Sequence, residues 1–367
     1  MKVLHIMGMF SKKFGGLEHF MLALKESDPS ICHIIAYNSE PSSAEYLKKI
    51  GNIEIVPLGG MNNFKELPHF IKLLRRERPE VVHFHFESAF ALWSRVAKLF
   101  GVKKVFKTEH SCIYVNGRQV TDISGLNMRY RLITFGKKAY KAVDKVLAVS
   151  KFVENQLNSI YSDNIKTQTS YIGIDEPRLS ITREAIRQKL NVEPNEILVA
   201  TTLFANPIKG CDLLIEAFSK ISNKDTKLMI IGLNDRASYT DYIKKLIREK
   251  NLENRIIDVG ITNHVTDYLA GADMYVQPSR SEALSLSCVE AASLELPTIG
   301  SNAGGLPEIA GMVYDIYDTT QLAKFIDELC ADENKRRAEG LRSRQRYEIN
   351  FRIKSSAAKY IELYKQC

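Results

Sequence analysis

The sequence predicts an α/β protein of two domains, each a doubly wound parallel sheet. Three observations carry this expectation. At 367 residues the chain exceeds what one hydrophobic core ordinarily serves, so two domains of roughly 150–200 residues are expected. Short β-branched runs alternate with longer helical patterns almost throughout. The runs are apolar without a polar alternation, as in strands covered by helices on both faces.

In order along the first half, strands are expected at "KVLHIMG", "CHIIAY", "IEIVPLG", "VVHFHFE", "KVFKTEH" and "KVLAVS". Helical patterns lie between them, including "FKELPHFIKLLRRE" and "FVENQLNSIY". The second half repeats the scheme with "EILVATTLF", "KLMIIGL", "RIIDVGI", "ADMYVQPS" and "PTIGS". In "YIGIDEPRLSITRE" a strand-like run gives way to turn residues and then a helix, which places the boundary between residues 173 and 174. Ligands are expected between the domains, at the carboxyl ends of the strands.

With 45% hydrophobic and 26% charged residues the composition is that of a globular protein. No apolar run approaches the ~20 residues of a membrane span. The six cysteines are scattered and contain no C-x-x-C pair, so reduced thiols and a cytoplasmic location are expected. Charge is uneven. Residues 1–175 carry 25 Lys+Arg against 16 Asp+Glu, and residues 176–367 carry 26 against 27. A basic half points to an anionic surface: nucleic acid, acidic lipid or a polyanionic substrate. No aromatic-basic platform or recognition module supports nucleic acid.

Common nucleotide signatures are missing. There is no G-x-x-x-x-G-K-[ST] loop, and "GMFSKKFGG" is not G-x-G-x-x-G. No D-x-D pair offers a metal-bound diphosphate site, and no Cys/His spacing suggests zinc. The expectation is therefore no metal and no cofactor. His83 and His85 in "HFH" share one face of a strand, and read more readily as packing than as ligands.

The informative stretch is "SRSEALSLSCVEAASLELPTIGSNAGGLPEI", Ser279 to Ile309. A strand ends near Pro278 and a helix starts between Ser285 and Ser287. The first turn of such a helix suits an anion. Glu282 precedes it and Glu290 lies about a turn inside it, eight positions apart. Ionised carboxylates only accept hydrogen bonds, so this pair suits hydroxyls on both sides of a diphosphate, as in a nucleotide sugar. Ser287 to Glu290 is also S-x-x-E, a capping box in which Glu290 would serve only the backbone of Ser287.

The E-x(7)-E pattern followed by "AASLELPTIGSNAGGLPEI" resembles the donor-site signature of family 4 of the retaining glycosyltransferases, whose GT-B fold pairs two Rossmann-like domains across a cleft. The resemblance covers nearly the whole chain. It includes "FGGLEHFMLALKE", "VVHFHFES", "KTEH", "VLAVSKFVENQL", "NPIKGCDLLIEAF", "GADMYVQPSRSE" and "AAKYIELYKQC". It implies an acceptor-side domain at residues 1–173, a nucleotide-sugar domain at 174–345, and a last helix, 346–367, that crosses back to the first. It also implies roles. Glu290 would accept from ribose hydroxyls, and Glu282 would face hydroxyls of the donor sugar. Backbone N–H groups of Ala283, Leu284, Ser285 and Leu286 would hold sugar and phosphate, with Lys209 on the diphosphate. Gly16 would admit the phosphates to the N-terminal loop, and His110 would contact the transferred sugar.

The implied reaction is a retaining, metal-independent hexosyl transfer. The donor would be UDP- or GDP-linked and the acceptor a glycan, lipid-linked by expectation, in bacterial surface polysaccharide synthesis. "FKELPHFIKLLRRERPE" and "MRYRLITFGKKAYKAV" combine apolar and basic residues as interfacial helices do, so docking on the inner face of the membrane is a further expectation. The chain departs from the family where Phe204 replaces an arginine, where the interdomain segment reads "YIGID", and where "ALSL" replaces Gly-aromatic-Gly. The first departure leaves Lys209 alone or with Arg280 at the phosphates. A sugar-nucleotide epimerase of similar fold and a non-catalytic subunit of a paired transferase are the alternatives.

Overall fold

The computed structural model describes residues 1–8, 16–37, 54–57, 66–86, 90–112, 114–115, 118–119, 140–161, 165–203, 206–233 and 238–366. The chain divides into two compact units. Unit 1 is Met1–Ile113 with Val120–Asp175 and Phe351–Cys367, and unit 2 is Tyr114–Gln119 with Glu176–Asn350.

The first half of the chain contributes strands β1 (Lys2–Met7), β2 (Cys32–Tyr37), β3 (Glu54–Pro57), β4 (Val81–His85) and β5 (Lys104–Glu109). A two-residue pair, β6 (Tyr114–Val115) and β7 (Arg118–Gln119), is antiparallel. Strands β8 (Lys145–Ala148) and β9 (Thr167–Thr169) follow. Among the described residues the sheet of unit 1 runs β3-β2-β1-β4-β5-β8-β9, with all neighbours parallel. Order reverses between β1 and β4, the kind of switch point at which doubly wound sheets open for ligands. The helices are α1 (Gly16–Ser27), α2 (Leu67–Glu77), α3 (Phe90–Leu99) and α4 (Lys151–Tyr161).

Alternate strand residues build one core, with Leu4, Ile6, Ile34, Val82 and Phe84 packed against Phe70, Leu73, Leu74 and Trp93. That packing bears on the expectation of interfacial helices. The apolar stripe of "FKELPHFIKLLRRERPE" is core, because Phe70, Leu73 and Leu74 of α2 are buried. Lys72, Arg75 and Arg76 are exposed, so α2 presents charge and has no free apolar face to insert in a bilayer. Residues 128–139 of "MRYRLITFGKKAYKAV" lie outside the described residues.

"YIGID" forms no strand. It makes a single bridge, Ile174 to Arg352, with Ile174 N donating to Phe351 O at 2.9 Å and Ile353 N donating to Ile174 O at 2.9 Å. A Cβ on Gly173 would stand 2.5 Å from Phe351 O, so glycine is needed for this approach. The C-terminal helix (Ile353–Lys365) then packs on α1 and buries Tyr360 and Tyr364.

Unit 2 contains β10 (Ile197–Thr202), β11 (Thr226–Ile231), β12 (Ile256–Gly260), β13 (Met274–Gln277), β14 (Thr298–Ser301) and β15 (Met312–Tyr314). The order is β12-β11-β10-β13-β14-β15, all parallel. Helices α5 (Arg183–Lys189), α6 (Cys211–Lys220), α7 (Ser238–Glu249), α8 (Val265–Ala270), α9 (Leu286–Ser293), α10 (Thr319–Ala331) and α11 (Glu333–Asn350) accompany it. Val199, Leu228, Ile230, Met274, Val276 and Ile299 pack against Phe218, Leu322 and Ile326. Each half is thus an α/β sheet of the predicted kind. Short β9 "TQT" and β15 "MVY" escaped the sequence reading because three residues carry no usable period.

Candidate active site

In unit 2 the lysine segment is shaped by backbone geometry. Asn206 accepts from Ile208 N at 3.0 Å and starts a single 3₁₀ turn, Pro207–Lys209. Gly210 ends it at φ +70°, and a Cβ there would lie 2.0 Å from Pro278 O. Only glycine allows this contact. Arg280 N donates to Ile208 O at 2.7 Å, tying the segment to the end of β13 a second time.

The Arg280 guanidinium forks onto Asp212 at 2.8 and 2.6 Å and onto Pro207 O at 2.5 Å. Tyr239 OH also donates to Asp212, at 2.7 Å. Both partners are mostly buried, and Arg280 helps hold Asp212 below the usual carboxylate range against the opposing effect of burial. A bidentate pair of this kind is oriented and already satisfied. Arg280 therefore braces the lysine segment and does not stand beside Lys209 as a second free cation. Phe204, at the place of the expected arginine, lies outside the described residues.

Lys209 and Glu282 are brought into direct contact. Lys209 Nζ donates to Glu282 Oε2 at 2.7 Å, and Ser279 Oγ donates to the same oxygen at 3.0 Å. Behind Ser279 runs a polar ladder. Gln277 Nε2 donates to Ser279 Oγ at 2.9 Å, Tyr275 OH donates to Gln277 Oε1 at 2.5 Å, and Thr202 Oγ1 lies 2.7 Å from Tyr275 OH. Gly305 N donates to Glu282 O at 3.0 Å and holds the loop from the other side. Glu282 is thereby placed by β10, β13 and the lysine segment together.

Helix α9 settles the capping question. Its N-cap is Ser285, whose side chain accepts from Cys288 N at 3.3 Å. Ser287 is the second helical residue, so Ser287 and Glu290 form no capping box. Of the loop residues, Ala283 and Ser285 are buried while Leu284 and Leu286 are partly exposed. The first-turn N–H groups of Leu286 and Ser287 have no protein acceptor among the described residues, leaving an anion-attracting helix start. The Glu290 carboxyl has no hydrogen-bond partner among the described residues, and burial alone pushes its pKa up to about 7. Although part of the residue reaches the surface, the carboxyl is strongly desolvated and lacks the bonds that would keep it ionised.

Two of the sequence-chosen residues belong to unit 1. Gly16 opens α1, and the loop before it, residues 9–15, lies outside the described residues. His110 follows β5, with Nε2 3.1 Å from His85 Nδ1 and its ring stacked on Phe86 at 4.1 Å. Burial lowers the His110 pKa to about 3, so the ring is neutral at physiological pH. Phe86 has φ 55° and is exposed. A bulky residue in the left-handed region is strained, and such strain collects at functional sites. Sequence reading missed Phe86, Gly210, Asp212 and Gln277. The glycine is visible in "NPIKG", but nothing local tells that it abuts Pro278.

Comparisons with known proteins agree with this picture. Residues 182–346 match the family described as Glycosyl transferases group 1, and residues 16–178 match Glycosyltransferase Family 4. The chain is 28% identical over 304 residues to the N-acetyl-alpha-D-glucosaminyl L-malate synthase of Bacillus anthracis, covering 80% of this chain and 76% of that one. It is 24% identical over 253 residues to the UDP-Gal:alpha-D-GlcNAc-diphosphoundecaprenol alpha-1,3-galactosyltransferase of Escherichia coli, covering 67% and 63%. The crystal structure of Anabaena HepE in complex with UDP superposes with a TM-score of 0.83 at 16% identity over the full length of both chains. Since the two matched families account for both halves and the full-length likeness fixes the architecture, this chain belongs to family 4 of the glycosyltransferases and has the GT-B fold.

Proposed function

We propose that the protein transfers a hexose-type sugar, with retention, from a UDP- or GDP-linked donor to a glycan or lipid-linked acceptor, in bacterial surface polysaccharide synthesis. The observation that carries this reading is the unpartnered, desolvated carboxyl of Glu290 inside a helix whose first turn is open, beside the Lys209–Glu282 pair. A carboxyl with no protein partner among the described residues, in a residue that still reaches solvent, suits a ligand that brings hydroxyl donors. Ribose hydroxyls fit Glu290, the diphosphate fits the start of α9 with Lys209, and the sugar hydroxyls fit Glu282. Backbone N–H groups from Ala283 to Leu286 line the path between them. Gly16 and His110 serve the phosphates and the transferred sugar from unit 1. Both donor classes have precedent among the relatives, UDP in the galactosyltransferase and GDP in the GDP-mannose-dependent mannosyltransferase of Mycolicibacterium smegmatis, and an α-linked product is favoured by the synthase and the galactosyltransferase.

In the proposed step the bond from C1 to the diphosphate oxygen breaks and its electron pair leaves with the β-phosphate. The acceptor hydroxyl bonds to C1 from the same face, and its proton passes to the departing phosphate. Charge grows on the phosphate in an oxocarbenium-like state. Lys209 and the α9 N–H groups meet that charge without a metal ion. Thermal shift against a panel of UDP- and GDP-sugars tests the donor, since a bound ligand raises stability by mass action. No shift with any of them would end the reading. Product analysis with donor alone separates the epimerase alternative, which needs no acceptor.

A further inference from the structure

One face of the unit 1 sheet carries a row of four histidines, of which only the last, His110, has a place in the proposed transfer. His33 on β2, His5 on β1, His85 at the end of β4 and His110 after β5 run diagonally across it. Their ring nitrogens meet in sequence. His33 Nδ1 lies 3.0 Å from His5 Nε2, His5 Nδ1 lies 3.5 Å from His85 Nε2, and His85 Nδ1 lies 3.1 Å from His110 Nε2. At the other end, His33 Nε2 is buried without a partner among the described residues. Burial lowers the pKa of every member, so each is a neutral ring with one N–H and one lone pair.

We propose that these four rings form one imidazole chain that sets the tautomer of His110, holding its proton on Nδ1 so that it offers the donor sugar an N–H. This rests on the placement of His110 at the sugar under the proposed function. In a chain of neutral rings each must donate to the next, so only two polarities exist. If the protons sat on Nε2, His33 would bury an N–H with no acceptor, and orphaned buried donors are rare. With the protons on Nδ1, His33 Nε2 is a bare lone pair, and each N–H points outward along the chain to His110. His5, His33 and His85 are then positioning residues.

The nitrogens of His5, His83 and His85 lie within 4.8 Å of one another, which raises a metal as the competing use. His83 already meets Tyr364 OH at 2.6 Å and Thr108 Oγ1 at 2.8 Å through its two nitrogens. The imidazole chain uses the nitrogens of His5 and His85 fully, without requiring a metal.

The experiment is long-range ¹H–¹⁵N correlation on the full-length, ¹⁵N-histidine-labelled protein, beside kinetics of His85→Asn, His85→Leu and His5→Leu. The resting wild type is expected to show His110 protonated on Nδ1. Asparagine at position 85 keeps a donor near the place of Nδ1, so His85→Asn should keep that tautomer and a kcat within about threefold of wild type. His85→Leu should mix the tautomers and lower kcat about tenfold, the worth of one hydrogen bond, with little change in donor KM. Should His85→Leu fail to fold, His5→Leu reports the same loss one link away. His110 protonated on Nε2, or an unchanged tautomer in both leucine variants, overturns the proposal. So does stoichiometric metal in the purified protein that disappears in His5→Leu, because a metal would occupy the same nitrogens. The tautomer is read without substrate, so failure of the donor screen would refute the proposed function and leave this result standing.

Discussion

Lys209 Nζ sits 2.7 Å from Glu282 Oε2, so the cation assigned to the diphosphate and the carboxylate assigned to the sugar neutralise each other across 73 residues of sequence. Both side chains are mostly buried, but Ser279 Oγ still donates to Glu282 once the lysine is removed, so the loss to the fold is on the order of 1–2 kcal/mol. Lys209→Ala should therefore move the melting temperature by only a few degrees. It should lower kcat/KM by roughly 10²-fold, the order seen when one group stabilising developing charge is removed. Melting curves and donor kinetics side by side check this, and a stability collapse matching the kinetic loss would make the pair structural.

Glu290 sets a pH dependence. Its folded pKa of about 7 lies above the ordinary 4.5, so the folded protein holds more protons than the unfolded chain between those values. Stability should fall as pH rises from about 4.5 through about 7, by a total on the order of 1–3 kcal/mol. Glu290→Gln should flatten that slope. Denaturant titrations at pH 5, 6, 7 and 8 measure it.

The same carboxyl should couple donor binding to protons. Hydroxyl donors favour the ionised form, so a nucleotide sugar should bind more tightly as pH rises through about 7 and release a proton as it binds. Calorimetry in buffers of different ionisation enthalpy reads that proton directly. Glu290→Gln should remove it and weaken binding roughly ten- to 150-fold, the loss of a hydrogen bond to a charged group. Unchanged affinity would remove Glu290 from the donor site.

Gly210 offers a test with an internal control. Gly210→Ala meets both an unfavourable φ and Pro278 O, so it should cost more than the ~1–2 kcal/mol of the left-handed conformation alone and displace Lys209. Gly101 has φ +82° with open space where a Cβ would sit, so Gly101→Ala should show only the conformational part. Equal destabilisation in the two variants would remove the Gly210–Pro278 contact as an anchor of the site.

The proposed docking on an anionic membrane should be electrostatic. Helix α2 keeps its apolar residues in the core and exposes Lys72, Arg75 and Arg76. Sedimentation with acidic vesicles should show binding that vanishes as salt approaches 1 M, because a short Debye length removes attraction of this kind. Salt-insensitive binding would require an apolar surface elsewhere.

The sequence by itself determined the fold class and pointed to one stretch, residues 279–309, as the candidate site. Runs such as "KVLHIMG" and "KLMIIGL" carry their period locally, since a strand buried on both faces must be apolar at every position. The spacing of Glu282 and Glu290 is likewise a property of one loop and one helix turn. Tertiary structure alone decided how those residues are used. Ser285, two residues before Ser287, became the cap and left Glu290 unpartnered among the described residues. Arg280 was taken by Asp212 at a separation of 68 residues, and Gly210 found Pro278 at its back. His85 read as strand packing and His5 and His33 carried no signal of their own until β2, β1 and β4 were laid side by side in register. Periodicity is set by neighbours along the chain, whereas a carboxyl's charge or a ring's tautomer is set by whatever packing brings within 3 Å of it.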